Sequence, residues 1–258
     1  MTINRRAEIL KLINTKGEIK LSELKNIFPD VSEMTLRRDL MYLESQNKLI
    51  RIYGGARSIN SLSADEYDFN RSMLENIAAK EKIAKIATRY LVENTSTFID
   101  AGTTLMTFAK QIPNIRLYVI TNAPNIAIEL LKRSNIEIIL LGGNLNHHTI
   151  SSSGPLALKN LENLNVDLAF LSIGGYSLSA GFTNPNIYDN EIKNYIIKNA
   201  KKKIILMDSS KFNKNLPFTL AKAEDIDVLI TDKKPEDDIL SELEKKEVEV
   251  VYDKDSNN

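Results

Sequence analysis

Ser32-Glu33-Met34-Thr35-Leu36-Arg37-Arg38-Asp39-Leu40 decides how the first part of this chain folds. It follows Pro29-Asp30-Val31, and Ser32 has the chemistry of an N-cap: its hydroxyl can accept from an orphan N–H of a helix's first turn. Leu36, Leu40 and Leu43 recur at i, i+4 and i+7, which makes one apolar stripe. At about 100° per residue the opposite side carries Met34, Arg38, Met41 and Tyr42, with Thr35 and Arg37 beside it. Exposed arginines next to small hydroxyl groups match phosphates and guanine edges in a major groove. Alone, such a helix is more often only a solvated amphipathic face. Its neighbours decide between the two.

Working outward, Arg5–Thr15 has a helical pattern with Ile9, Leu10, Leu12 and Ile13 inward, closed at Lys16-Gly17. Leu21–Phe28 is a second short helix, and Pro29-Asp30 a turn. The third helix runs to about Gln46 and breaks at Asn47-Lys48. Leu49–Tyr53 is strand-like, and Gly54-Gly55 turns it back. Three helices and a basic hairpin predict a winged helix-turn-helix over residues 1–57, its third helix in the major groove. Arg38 and Met34, farthest from the stripe, are the candidates for base edges. Ser32, Thr35 and Arg37 are candidates for phosphates, and Arg51 and Arg57 of the wing for the DNA backbone. Asp39, at the edge of the stripe, is expected in a salt bridge with an arginine of the same domain. Residues 1–57 hold 11 basic and 7 acidic side chains, the rest of the chain 23 and 27, so a net charge of +0 conceals a basic head on an acidic body.

Composition removes several classes of function. The 258 residues suffice for two unequal domains, and 43% hydrophobic content supports full cores. The absence of Cys rules out disulfides, thiolate metal sites and a cysteine nucleophile. The two histidines, His147 and His148, are adjacent and read as a polar loop, so no metal and no cofactor is expected. No apolar run is long enough to span a bilayer and no signal-peptide pattern opens the chain; the expectation is a cytoplasmic protein.

Residues 58–71, rich in serine, read as a linker. Over 72–258, helical patterns alternate with short β-branched runs. Ile83, Ile86, Ala87, Tyr90 and Leu91 form a buried helical stripe, and a later helix buries Ile126, Ala127, Leu130 and Leu131. The runs at 97–99, 117–120, 137–141, 168–173, 203–207, 228–230 and 248–251 predict a mainly parallel α/β sheet covered on both faces. In such sheets ligands sit at the carboxyl ends of the strands. There the chain places Asp100-Ala101-Gly102-Thr103-Thr104, Thr121-Asn122, Gly142-Gly143, Gly174-Gly175 and Asp208-Ser209-Ser210-Lys211. Gly102 and the two threonines at a helix start make an anion cradle. Without the lysine of a Walker loop, nucleotide hydrolysis is not indicated.

Both halves resemble one family. Thr35-Leu36-Arg37-Arg38-Asp39-Leu40 with Arg51-Ile52-Tyr53-Gly54-Gly55-Ala56 is similar to the head of DeoR-type bacterial transcription regulators. Glu81-Lys82, Asp100 to Thr104, Thr121-Asn122, Gly142-Gly143, Gly154 and Asp208 to Phe212 resemble that family's sensor domain. The resemblance implies a body similar in fold to sugar-phosphate isomerases and a phosphorylated sugar as effector. It implies a site lined by Asp100, Gly102, Thr103, Thr104, Thr121, Asn122, Gly142 and Lys211. It further implies repression of a carbohydrate catabolic operon, with double-stranded operator DNA as partner and a homo-oligomer (dimer or tetramer). The competing reading is an isomerase-like enzyme with an accessory head, using Asp100 or Glu191 as its base.

Overall fold

The computed structural model describes residues 2–46, 48–52, 54–58 and 67–253. It divides into two compact units, Met1–Leu74 and Glu75–Asn258.

The first unit contains α1 (Thr2–Lys16), β1 (Glu18–Lys20), α2 (Leu21–Ile27), α3 (Glu33–Ser45), β2 (Leu49–Ile52), β3 (Gly55–Ser58) and α4 (Tyr67–Leu74). Ile9, Ile13, Leu24, Leu36, Leu40, Leu43 and Leu49 close its core. Ser32 caps α3, its hydroxyl accepting from Thr35 N–H at 3.2 Å. Gly17, at φ 81°, ends α1 in the left-handed turn that glycine tolerates. The chain then forms a strand that the periodicity did not predict. β1 pairs antiparallel with β3, and β3 with β2, so the wing is a three-stranded sheet. Only glycine fits at position 55, where a Cβ would lie 2.3 Å from the Ile19 carbonyl oxygen.

Both ends of the stretch expected as a linker, 58–71, have regular structure. Ser58 belongs to β3 and Tyr67–Leu74 is helical. Phe69 and Met73, at i and i+4, supply the apolar face that the serine-rich stretch before them obscured. Residues 59–66 lie outside the described ones.

The second unit runs α5 (Ile77–Ala87), β4 (Ser96–Ile99), α6 (Thr103–Gln111), β5 (Leu117–Thr121), α7 (Pro124–Leu130) and β6 (Ile136–Leu140). A hairpin of β7 (Asn144–Asn146) and β8 (Ser151–Ser153), α8 (Pro155–Leu161) and β9 (Leu168–Ser172) follow. The chain continues through β10 (Gly175–Ser177), β11 (Gly181–Asn184), α9 (Ile187–Asn199), β12 (Lys202–Leu206) and β13 (Phe218–Ala221). It closes with β14 (Val228–Thr231), α10 (Asp237–Lys245) and β15 (Glu249–Tyr252). The seven predicted runs all join one sheet, in the order β15-β14-β12-β9-β4-β5-β6. Every pairing in it is parallel. One face packs the apolar sides of α5, α6 and α7, the other those of α8, α9 and α10. A small antiparallel sheet, β10-β11-β13, and the β7-β8 hairpin were not predicted.

Leu131 departs from expectation. It was assigned to a buried stripe but is 72% exposed. As the C-cap it keeps helical φ/ψ, and it stands about 90° round the helix from the centre of the buried stripe of Ile126, Ala127 and Leu130.

Candidate functional sites

In the head, Leu36, Leu40 and Leu43 face the core and the other side of α3 faces solvent. Met34 is 62% exposed, and Arg38 is exposed with no ion-pair partner among the described residues. Arg37 is exposed too, but its guanidinium pairs with Glu33 one turn back at 2.7 Å. Arg51 pairs with Glu44 at 2.6 Å. Such exposed pairs contribute little and exchange readily for phosphate. The hydroxyls of Ser32 and Thr35 lie 2.8 Å apart at the helix start. The side chain of Arg57 lies outside the described ones; its backbone pairs with Glu18 and Ile50. Asp39 forms the expected salt bridge, with two arginines rather than one. It is 1% exposed and takes Arg5 Nε at 2.6 Å and Arg6 Nε at 2.7 Å. Arg6 also lies over the Tyr42 ring, 3.8 Å from its centroid. This knot fixes α3 to α1, so the exposed face of α3 is presented on a rigid support.

In the body, the chain adds β5 and β6 on one side of β4 and then returns to place β9 on the other. The strand order reverses between β4 and β9, and the crevice above that point is where doubly wound sheets bind ligands. Asp100 ends β4 and Ser172 ends β9. Asp100 is 1% exposed; its Oδ2 accepts from Ser172 N–H and Oγ, both at 3.0 Å, and from Lys193 Nζ. Lys193, on α9, also donates to the Ser172 carbonyl at 2.8 Å. Asp100 Oδ1 is buried and has no hydrogen-bond partner among the described residues. Asn122 Oδ1, at the end of β5, and Asn125 Oδ1, at the start of α7, are buried and unpartnered likewise.

Gly102 joins Asp100 to α6 at φ 132°, and a Cβ there would meet Ser172 Oγ at 2.8 Å. No side chain caps α6. The first-turn N–H groups at Thr103 and Thr104 therefore remain for an anion, with the helix dipole behind them.

Other candidate residues serve the frame. The Thr121 hydroxyl donates to the Ile99 carbonyl at 2.6 Å and accepts from Ala123 N–H at 3.0 Å, so it shapes the β5 turn. Gly142 has room for a Cβ; it is Gly143, at φ 133° and hard against the Ser153 carbonyl, that needs glycine. Ser152 donates to the Leu141 carbonyl at 2.6 Å and ties the β7-β8 hairpin to the sheet. Glu191 is exposed on α9. Lys211 is half-buried beside Asp208 at the end of β12.

Two lysines were missed. Lys193 is 6% exposed and Lys80, in the first turns of α5, only 3%. Lys80 Nζ donates to the Glu75 carbonyl at 2.6 Å. Burial lowers its pKa to about 8; Asp208 and Glu75 counter this and Lys211 adds to it. The signal was present in the sequence. Lys80 stands three residues before Ile83, and Lys193 three before Ile196, so helical spacing puts both on apolar faces.

The comparisons with known proteins agree with this arrangement. Residues 5–62 match the DeoR-like helix-turn-helix domain, and residues 75–233 the DeoR C-terminal sensor domain. The chain is 36% identical over 251 residues to the HTH-type transcriptional regulator YulB of Bacillus subtilis, covering 97% of this chain and 96% of that one. It is 31% identical over 205 residues to the L-fucose operon activator of Escherichia coli K12, covering 79% and 84%. Among solved structures it is similar to a ribose 5-phosphate isomerase from Methanocaldococcus jannaschii, with TM-score 0.42, 17% identity, and 55% and 57% of the two chains covered. A DNA-reading head of that family and a sensor domain of the same family, matched along nearly the whole chain, make this protein a member of the DeoR-type helix-turn-helix transcriptional regulators rather than an enzyme.

Proposed function

We propose that this chain represses a carbohydrate catabolic operon and leaves its operator when a phosphorylated sugar binds at the β4–β9 crevice. The observation that carries the reading is that three of the five buried, unpartnered side-chain oxygens among the described residues, those of Asp100, Asn122 and Asn125, follow the neighbouring strands β4 and β5, and that α6, which starts after Asp100, has no side-chain cap. Buried acceptors left unpaired cost about 1–3 kcal/mol each. A polyol supplies hydroxyl donors to them, and its phosphate takes the N–H groups at Gly102, Thr103 and Thr104. Lys193, Lys80 and Lys211 supply cationic charge around the same strand ends. Thr121 and Gly142 belong to the walls.

In the head, Arg38 and Met34 read base edges while Ser32, Thr35, Arg37, Arg51 and Arg57 hold the backbone. One head is too small for a specific operator, so two copies at least, in a dimer or tetramer, meet two half-sites. Among the described residues no helix is long and apolar enough to cross a membrane. A protein that takes operator DNA and a sugar phosphate as its ligands works in the cytoplasm. To release DNA the effector must bind the DNA-competent and DNA-incompetent arrangements unequally. A catabolic operon freed when its metabolite arrives must be held off beforehand, which makes repression the expected sign. A relative named as an activator shows that the opposite sign occurs among similar proteins.

The test is a gel shift on the DNA upstream of the gene, titrated with aldose and ketose phosphates and their unphosphorylated sugars. Release by one phosphate ester and not by its free sugar is the expected result. Failure of every ester both to release DNA and to raise the melting temperature overturns the reading, and a reporter that falls on deletion of the gene reverses the sign.

A further inference from the structure

β6 is an edge strand: it pairs with β5 on one side and with no strand on the other among the described residues. Its sequence, Ile136-Glu137-Ile138-Ile139-Leu140, has four apolar residues in five. Alternate backbone N–H and C=O groups of a parallel edge strand point outward with nothing to bind, and natural edges are usually blunted by charges, above all lysine, by proline or by a bulge. β6 carries a single charge, Glu137, and no lysine, proline or bulge.

The surface around this edge is apolar as well. Ile139 is 37% exposed and Leu140 46%; Ile128 and Leu131, on and just after the neighbouring α7, are 65% and 72% exposed. Leu145 of β7 and Leu156 of α8 are 69% and 58% exposed. These side chains flank the edge on both faces of the sheet, for Ile136 and Ile138 pack with α7 and Leu141 with α8. α7 packs on β6. A Cβ at Gly142, just past β6, would lie 3.7 Å from Leu156 Cδ2. The Ser152–Leu141 hydrogen bond holds the β7-β8 hairpin against the end of the strand. Six of the ten exposed large apolar side chains of the body thus fall within residues 128–156, whereas scattered single ones are what a solvated surface normally shows.

We propose that this band is the face through which two copies of the chain associate. The area is sufficient. The six side chains expose on the order of 600 Å² of apolar surface, while a standard interface takes about 800 Å² from each partner, some 450–520 Å² of it apolar. The geometry selects a second copy. An antiparallel approach of β6 to β6 about a two-fold axis is isologous: each edge offers the backbone groups that the other lacks, and each band covers its own duplicate. A pair of heads so joined carries two-fold symmetry, which a two-half-site operator requires. The inference does not depend on any effector.

Sedimentation velocity on the full chain tests it. Wild type is expected as a dimer at about 10 µM. The doubly substituted Ile128→Glu/Leu131→Glu chain and the Leu140→Glu chain should dissociate at least a hundredfold more readily. Leu178→Glu, 49% exposed between β10 and β11 and away from the band, should not. Hydrogen exchange on the wild type supplies a readout that no variant can spoil: β6 amides should be protected at dimeric concentration and exchange on dilution. A monomeric wild type, dimers untouched by both band variants, an equal effect of Leu178→Glu, or β6 amides whose exchange ignores concentration would each overturn it.

Discussion

Replacing Lys80 with methionine should make the body more stable at neutral pH and less responsive to effector. Lys80 is 3% exposed, and burial is the main reason its pKa falls from 10.5 to about 8. At 1.36 kcal/mol per unit, that fall corresponds to about 3 kcal/mol of destabilisation by the buried charge. Methionine keeps the apolar stem but loses the hydrogen bond to the Glu75 carbonyl, worth about 1.5–3 kcal/mol for a charged donor. The expected net gain is at most about 1.5 kcal/mol, or roughly 3–6 °C in Tm for a domain of this size.

The pH dependence fixes the cause. The folded pKa lies below the unfolded one. Below about pH 8 both states hold the proton and the full penalty applies. Between about 8 and 10.5 the unfolded chain binds a proton that the folded chain has released, so wild-type stability rises with pH through this window. The lead of the variant should therefore be greatest at pH 7 and reversed at pH 10.5, where the penalty of about 3 kcal/mol is gone and only the lost hydrogen bond remains. Thermal unfolding followed by circular dichroism at both values measures it. A variant less stable than wild type at pH 7, or a lead that does not change between the two pH values, would refute the reasoning.

Further predictions follow from the same geometry. Arg38→Ala should weaken operator binding by about 1–3 kcal/mol in a fluorescence titration and relax sequence preference, with Tm unchanged. Asp39→Ala leaves Arg5 and Arg6 without their shared carboxylate; because both arginines are partly exposed, the head should lose about 2–3 kcal/mol in urea unfolding, and DNA binding with it. Gly102→Ala combines a φ of 132° with a Cβ 2.8 Å from Ser172 Oγ, so calorimetry should find effector binding abolished while DNA binding persists. Lys193→Met and Asp100→Asn should each lower stability, the first by about 3–5 kcal/mol, and the double variant by less than the sum, since it strands no buried charge.

The parallel sheet was legible because each of its strands is a short β-branched run between helical patterns, and burial on both faces demands that composition. The wing was legible in Leu49–Ile52 and Gly54-Gly55. β1 was not: three residues, one of them buried, carry no period, and the strand exists because Gly55 lets β3 approach the Ile19 carbonyl. β10, β11 and β13 are three or four residues long and escaped for the same reason. At the site, Asp100 and Gly102 could be found because a strand end and a helix start are adjacent in sequence. Lys193 reaches Asp100 across 93 residues, and that encounter follows from the strand order, which no local pattern encodes. Thr121 shows the converse error. Its position at a strand end is right, yet its hydroxyl is consumed by the backbone beside it.

The carboxyl edge of the sheet holds Asp100, Asp208, Asp232, Lys80 and Lys193, none more than 6% exposed. A fold selected for stability alone would not gather them, since well-packed apolar residues in place of buried ion pairs are often neutral or stabilising. Asp232 is bonded at both oxygens by Ser209, and Asp208 takes Asn76 and Ser210 on Oδ1. Asp100 differs in that its second oxygen, Oδ1, is buried and has no partner among the described residues. A buried acceptor left open separates a ligand-seeking carboxylate from a framework one. It falls at the strand whose neighbours mark the reversal of the sheet, next to the helix start that no side chain caps. A hydroxyl donated to Asp100 Oδ1 would complete a network already anchored on β9 and α9 by Ser172 and Lys193. Ligand occupancy would then be felt in α9 on one face of the sheet and, through the Gly102 turn, in α6 on the other, the least that a sensor needs in order to alter what is attached to it.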